Sequence, residues 1–368
     1  MRRASLWLAC TFGVVTSMSA CMDLFHDTEF ASVRAAAEAG PASSEDATLP
    51  GVRSTDFCSW TPVEARTHAT HACAWLGACA GPLGESTFGP CMMHALWSFD
   101  CELNPDLRPR GTAAALWGCL ADVRSCAEVD ACLFSGARPT CAPVASGSFT
   151  TCAATGGGAG GDAGAGVLVA CSRPEEGPPT GMEPCGLVGK TCTAIDEGTG
   201  RCTGGAGKGC ALGASCDGAL AVDCQLVGSS PIDFGLDCGA FGAGRCVAGD
   251  GGVACAPGET ARPCATATPA PSCQGDLARV CVEGREIRVD CAKLGLSCDV
   301  ATVPVSPLDP LRACVDRTSV RCASVDECVA GTLRSCAQGA RFDVDCQREG
   351  LGPCEVTSDG RIARCAPL

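Results

Sequence analysis

Two periodicities divide the chain. Between Ala65 and Ala80 the apolar positions Ala65, Ala69, Ala72, Cys73, Leu76 and Ala80 recur at helical spacing, which gives one helix a buried face. Thr61-Pro62-Val63-Glu64 is its start: Thr61 caps, Pro62 suits the first turn and Glu64 completes a capping box. Gly81-Pro82 is the matching stop. Thr112 is placed to cap a second helix through Leu116 and Cys119, Ser125-Cys126-Ala127-Glu128 is a second capping box opening a short helix through Cys132, and Met92 to Phe99 forms one more. Beyond about residue 141 the period falls to two. Phe234-x-Leu236-Asp237-Cys238, Ile287-x-Val289-Asp290-Cys291 and Phe342-x-Val344-Asp345-Cys346 each read as a strand with one buried face. Val280 to Arg285 and Cys336 to Ala340 read as a preceding strand and turn, so a β-hairpin is predicted for each unit.

The cysteines follow the same division. From Cys141 on they fall into four sixes. These are Cys141, Cys152, Cys171, Cys185, Cys192, Cys202; Cys210, Cys216, Cys224, Cys238, Cys246, Cys255; Cys264, Cys273, Cys281, Cys291, Cys298, Cys314; and Cys322, Cys328, Cys336, Cys346, Cys354, Cys365. Gaps from second to third cysteine are 18, 7, 7 and 7 residues, from third to fourth 13, 13, 9 and 9, and from fourth to fifth 6, 7, 6 and 7. The first six departs, with Gly181 and Glu183 in place of the strand's apolar pair and a Gly-rich run over 153–166, so it is expected to be degenerate. Six cysteines allow fifteen pairings, and spacing does not choose among them.

Eight further cysteines (Cys58, Cys73, Cys79, Cys91, Cys101, Cys119, Cys126, Cys132) belong to the helical segment. Cys73 and Cys79 are six apart, as are Cys126 and Cys132. On one helix that is about 9 Å of axis, beyond the roughly 7 Å a disulfide spans. Bridges are therefore expected between helices, up to four of them, around a core of Trp75, Trp97 and Trp117. The predicted class is α+β and disulfide-rich, elongated, with a small helical cysteine module followed by four tandem β-hairpin six-cysteine repeats. The boundaries are a signal peptide over 1–20, a flexible tether over 21–54, the helical module over 55–135, and repeats over 136–204, 205–257, 258–316 and 317–368.

Composition explains why staples are needed. The chain has 368 residues with 34 Cys, no Tyr and 4% aromatics, too few large apolar side chains for one large core, so small modules must be cross-linked. That many cysteines fit an oxidising compartment. The N-terminus agrees: Arg2 and Arg3 are followed by an apolar stretch, Leu6 to Val15, too short to span a bilayer. Met18-Ser19-Ala20-Cys21 resembles the lipobox of bacterial lipoproteins, which implies lipidation of Cys21, an outer-membrane lipoprotein and a lipid anchor in the cell envelope; Met18 stands where that family usually has Leu, Val or Ile. Ser17-Met18-Ser19 equally fits an ordinary cleavage site, which would give free secretion. Parity favours the lipid: Cys10 leaves with the signal and, with Cys21 lipidated, 32 cysteines remain to pair. Ala31 to Ser54, rich in small residues and acids, reads as the tether.

The formal charge is −14, with only three lysines (Lys190, Lys208, Lys293), which argues against nucleic acid as a partner. Residues 141–365 resemble, through their spacing and a Gly-x-x-x-x-x-Asp-Cys pattern at Gly284 and Gly339, the cysteine-rich repeats of secreted proteins and lipoproteins of myxobacteria. That resemblance implies an extracellular role and no catalytic residue. No Cys-x-x-Cys, Gly-x-Ser-x-Gly or His-Glu-x-x-His occurs, so thioredoxin-like, zinc-ribbon, hydrolase and zinc-protease readings lose their motifs. Gly189-Lys190-Thr191 resembles the end of a phosphate loop, but Pro184 stands where that loop needs Gly, and no nucleotide is expected. His68, His71, Cys73 and Cys79 could ligate zinc, against the simpler reading of two histidines beside disulfides. No cofactor or metal is expected. The sequence thus predicts a non-enzymatic exported surface protein, structural or binding an unknown protein or polysaccharide partner. The alternatives are an extracellular enzyme-associated binding module or a protease inhibitor, with Asp299 to Ala313 as the inhibitory loop.

Overall fold

The structure, a computed structural model, describes residues 57–81, 87–100, 109–134, 138–141, 149–153, 166–171, 179–196, 199–241, 243, 245–249, 252–258, 261–265, 271–294, 296–300, 310–315, 326–337, 340–356 and 362–368. Helix α1 spans Pro62–Ala80. Its capping box forms as the sequence predicts: the Glu64 amide donates to Thr61 Oγ1 at 3.3 Å and the Thr61 amide to Glu64 Oε2 at 2.8 Å. Gly81 ends it at φ 74°. Helices α2 (Phe88–Ser98), α3 (Gly111–Leu120) and α4 (Cys126–Leu133) follow. Ser125 caps α4 through the Glu128 amide at 3.3 Å, while the Glu128 carboxylate reaches the Arg124 amide, one residue beyond the expected box. The expected Thr112 cap is corrected: α3 already begins at Gly111, its capping position is Arg110, and no side chain bonds there.

The helices are bridged to one another, as the six-residue spacings require. Cys73–Cys91 joins α1 to α2, Cys79–Cys126 joins α1 to α4, and Cys119–Cys132 joins α3 to α4. Cys58 is also disulfide-bonded; Cys101 lies outside the described residues.

Each six-cysteine unit contains more than the predicted hairpin. The first has a sheet of β1 (Phe149–Ala153), β2 (Val167–Cys171) and β3 (Gly181–Pro184), then a two-stranded ribbon of β4 (Thr191–Asp196) and β5 (Thr199–Thr203). The second has β6 (Gly213–Asp217), β7 (Leu220–Val227), β8 (Ser230–Asp233) and β9 (Leu236–Asp237), with ribbon β10 (Cys246–Gly249) and β11 (Gly252–Cys255). The third has β12 (Pro271–Gln274), β13 (Leu277–Val282) and β14 (Arg285–Asp290), with ribbon β15 (Ser297–Cys298) and β16 (Cys314–Val315). The fourth has β17 (Glu327–Val329), β18 (Thr332–Ala337) and β19 (Ala340–Asp345), with ribbon β20 (Cys354–Val356) and β21 (Ala363–Cys365). All described pairings are antiparallel. The β13–β14 turn holds Glu283 at φ 48° and Gly284 at φ 75°, the two left-handed residues that suit the strand twist of a tight hairpin.

The Asp of the Asp-Cys pairs has a local task. Asp237, Asp290 and Asp345 each accept, through Oδ1, the amide two residues on, at 2.8, 3.1 and 3.1 Å. Each thereby starts the turn that begins at the fourth cysteine, offering its oxygen where the sheet has stopped supplying partners. In the first repeat Pro184 holds this place without a side-chain bond. That repeat is not degenerate: its third strand turns Met182 inward, fully buried, and Glu183 is only 8% exposed.

One connectivity runs through the repeats. First to third gives Cys141–Cys171, Cys210–Cys224 and Cys264–Cys281. Second to fifth gives Cys152–Cys192, Cys216–Cys246, Cys273–Cys298 and Cys328–Cys354. Fourth to sixth gives Cys185–Cys202, Cys238–Cys255, Cys291–Cys314 and Cys346–Cys365. In every ribbon the fifth and sixth cysteines stand opposite one another (Cys192 and Cys202, Cys246 and Cys255, Cys298 and Cys314, Cys354 and Cys365), yet each is bonded elsewhere. Cys336 is disulfide-bonded and Cys322 lies outside the described residues. Peptide mapping of the unreduced protein is expected to recover Cys322–Cys336 and Cys58–Cys101 besides these bonds. A different partner for Cys336 would break the rule.

The repeats do not trail from the helices as an elongated row. A single buried cluster contains Trp75, Leu76, Met92 and Trp117 from the helices, Val167 and Met182 from the first repeat, Val289 and Leu294 from the third, and Leu333, Phe342 and Leu351 from the fourth. A second joins Ala221 and Val253 of the second repeat to Val280, Val282 and Ile287 of the third, with Trp97 of α2 against it. The four described helices are the centre on which the first, third and fourth repeats are packed; the second packs on the third and meets the helices at Ala240 and Phe241.

Candidate functional site: the junctions between helices and repeats

Polar groups concentrate where repeats meet helices. At the fourth repeat, α1 places His71 and Trp75 one turn apart on the face turned towards the segment after β19. Trp75 Nε1 donates to the Glu349 carbonyl at 3.1 Å, and His71 Nδ1 lies 3.1 Å from Glu349 Oε2. The other ring nitrogen, Nε2, is 2.7 Å from the Val123 carbonyl. His71 thus joins three stretches of chain. Burial by itself pulls the imidazole pKa down. The bonds to Glu349 and Val123 and the charges of Glu349 and Asp122 outweigh burial and raise it above 6.5.

A second contact of the same repeat is a short relay. The Gly89 amide of α2 donates to Ser335 Oγ at 2.8 Å, and Ser335 Oγ donates to Asp326 Oδ1 at 2.6 Å. Ser335 is 1% exposed. Burial pushes the Asp326 carboxyl up, partly opposed by its bonds from Ser335 and the Cys336 amide. Gly89 leaves no room here: a Cβ would lie 2.8 Å from Ser335 Oγ.

At the first repeat, Trp117 Nε1 of α3 donates to the Leu187 carbonyl at 3.3 Å, and the Met182 amide donates to Gly81 O at 3.0 Å. A cleft there is lined by Cys91, His94, Trp117, Glu183 and Leu187 among others; its volume is about 10 Å³, room for one water. The second repeat is met by the Arg110 amide on Ala240 O at 2.7 Å and by Phe241 against Trp97, ring centroids 6.0 Å apart. The third is met by Lys293 and Asp100, 3.2 Å apart. Within the second repeat, the fully buried Asp233 carboxylate accepts the amides of Gly235, Asp223 and Ala206 at 2.8, 2.9 and 3.1 Å.

These arrangements hold structure together. Val123 O can only accept, so His71 Nε2 must be its donor, and Nδ1 faces the Glu349 carboxylate. His68 stacks on Trp60, centroids 4.1 Å apart, rather than joining His71. Cys73 and Cys79, weighed as zinc ligands, are disulfide sulfurs. Among the described residues no group of three or more His, Cys, Asp or Glu is placed to hold a metal. No described helix is long and apolar enough to cross a membrane. Of the three core tryptophans, Trp75 and Trp117 are 4% and 1% exposed, while Trp97 is part-buried between the two clusters.

Cys21, Met18, the tether 21–54 and residues 301–309 of the inhibitor-loop candidate lie outside the described residues. The ends of that loop are held: the Asp299 amide donates to Ala313 O at 2.8 Å and Leu311 is 2% exposed. Sequence reasoning missed Ser335, Asp326 and Glu349. Ser335 carried a signal, a polar residue on the inward face of Leu333-x-Ser335-x-Ala337. Glu349 carried none, since its partner His71 is 278 residues away. No family model, no curated protein and no solved structure matches the chain.

The density of disulfides places the protein in an oxidising, extracytoplasmic setting.

Proposed function

We propose that the protein is a non-enzymatic envelope protein, anchored through lipid on Cys21, whose stapled repeats hold a fixed surface for a protein or polysaccharide partner. One observation carries the reading: a single disulfide pattern recurs in four repeats, three of which share one buried cluster with the helices while the second packs on the third. Each bridge stabilises by roughly 2–4 kcal/mol, so the surface of the loops is presented at little cost in ordering on binding. The polar residues that would suit catalysis, His71 and Asp326 foremost, are engaged in holding repeats in place. The acidic balance and the scarcity of lysine favour a partner that is not an anionic polymer.

Anchoring and binding are tested separately. Full-length protein expressed in a bacterial envelope is expected in the detergent phase, with a diacylglyceryl mass on Cys21, and Cys21→Ser is expected in the aqueous phase. Equal partitioning of both would favour the ordinary cleavage site and free secretion. Crosslinking on intact cells should recover one partner reproducibly from the wild type; its absence under several conditions would count against the binding half of the proposal.

A further inference from the structure

The contacts around His71 hold a consequence beyond anchoring. Both ring nitrogens meet acceptors: the Val123 carbonyl at 2.7 Å and Glu349 Oε2 at 3.1 Å. A carbonyl takes only a donated hydrogen, which assigns one proton to Nε2. A neutral ring then has none for Nδ1, and its lone pair would face a carboxylate. Only the imidazolium satisfies both partners. We propose that His71 is a pH-operated clasp between helix α1 and the fourth repeat, closed while the imidazole is protonated and loosened when it is neutral.

The surroundings support this sign. Glu349 comes from the fourth repeat and Asp122 from the turn after α3, so both charged groups facing the ring are acids. Trp75 on the same helix packs nearby, centroid to centroid 6.1 Å, and its indole donates to the backbone carbonyl of Glu349. The side chains of His71 and Glu349 are 23% and 16% exposed, so solvent screens the pair only in part. The geometry also confines the effect. The segment after β19 folds back with the Gly350 amide on Gln347 O at 3.1 Å and the Leu351 amide on Cys346 O at 2.9 Å. Cys346–Cys365 holds the repeat covalently, so deprotonation opens the 346–351 turn from α1 without releasing the repeat. Since the folded-state pKa is raised, this contribution is complete below the unfolded value of about 6.5 and is lost as pH rises through the higher folded value.

The experiment is hydrogen exchange on the oxidised full-length chain from pH 5.5 to 8.5, corrected for intrinsic rates, with NMR titration of the ring protons. Only four histidines are present, so the His71 signal is assignable by its loss in His71→Gln. Protection of the Trp75 indole N–H, which bonds to the Glu349 carbonyl across the clasp, is expected to fall about tenfold for each unit by which folding raises the His71 pKa, while amides of β13 and β14 stay constant. His71→Gln should abolish the pH dependence, and Asp326→Asn should leave it. A ring that titrates at or below 6.5, or a pH dependence that survives His71→Gln, overturns the proposal.

Discussion

Gly235→Ala is expected to unfold the second repeat. A Cβ at this residue would lie 1.6 Å from the Ala221 carbonyl oxygen and 2.7 Å from its carbon, both backbone atoms of β7. Neither can rotate away. Gly235 is where the chain leaves β8 and returns to pair with β7, Leu236 opposite Ala221 and Asp237 opposite Leu220. Moving it out also breaks its amide's bond to Asp233 Oδ1 and disturbs the carboxylate that the Asp223 and Ala206 amides share. Overpacking against backbone together with unpaired buried amides costs on the order of 3–5 kcal/mol. Gly275→Ala is the comparison: its φ is +61° but nothing stands within 4 Å of a Cβ, so only the left-handed backbone is penalised, about 1 kcal/mol. Denaturant unfolding of the two variants should differ by several-fold in lost stability; similar losses would mean that β9 gives way freely.

Removing Cys346–Cys365 as a pair of alanines should be nearly as damaging. The bond closes 19 residues at a Cα separation of 5.4 Å, and both cysteines are buried, at 0% and 1% exposure, in the cluster that holds Leu333 and Phe342. Loss of the cross-link, with the cavity left behind, costs about 3–5 kcal/mol. The fluorescence of Trp75, whose indole bonds to Glu349 O in the same repeat, reports the transition. Cys216–Cys246 is the contrast, because Cys216 lies on the exposed strand β6; its removal loses the cross-link without a buried cavity. If the two variants unfold at the same denaturant concentration, burial adds nothing to the bond.

The parts of the fold legible in the sequence are those set by neighbouring residues. The Thr61–Glu64 box needs a separation of three, and the alternation Phe342-x-Val344 needs two, so both stand in the structure where the pattern puts them. Thr112 misled because a preferred capping residue lay two positions beyond Arg110, after Gly111 had already begun the helix at φ 52°. The ribbon of the third repeat escaped notice because Ser297–Cys298 and Cys314–Val315 have two residues each, too few to display a period. The Asp-Cys pairs were visible as a pattern but not as caps, since the acceptor role depends on where the strand ends. The packing of repeats on helices was invisible for another reason. It rests on pairs such as Gly89 with Ser335, 246 residues apart, and no local rule links them. The three-way pairing of the cysteines was equally out of reach, because every one of the fifteen arrangements has the same spacing.

The pairing also bears on how the chain is made. No described bond of the repeats joins consecutive cysteines, and the two that face each other across each ribbon, such as Cys298 and Cys314, are never partners. A chain crossing a membrane from its N-terminus offers its cysteines to an oxidant one after another, and the earliest contacts are between consecutive ones. Any bond between consecutive cysteines of a described repeat is therefore non-native, and where one forms first, the native pattern is reached only if a thiolate attacks the misplaced sulfur and reopens it. An oxidant alone would trap such a repeat in a pairing from which its sheet and its ribbon cannot both form.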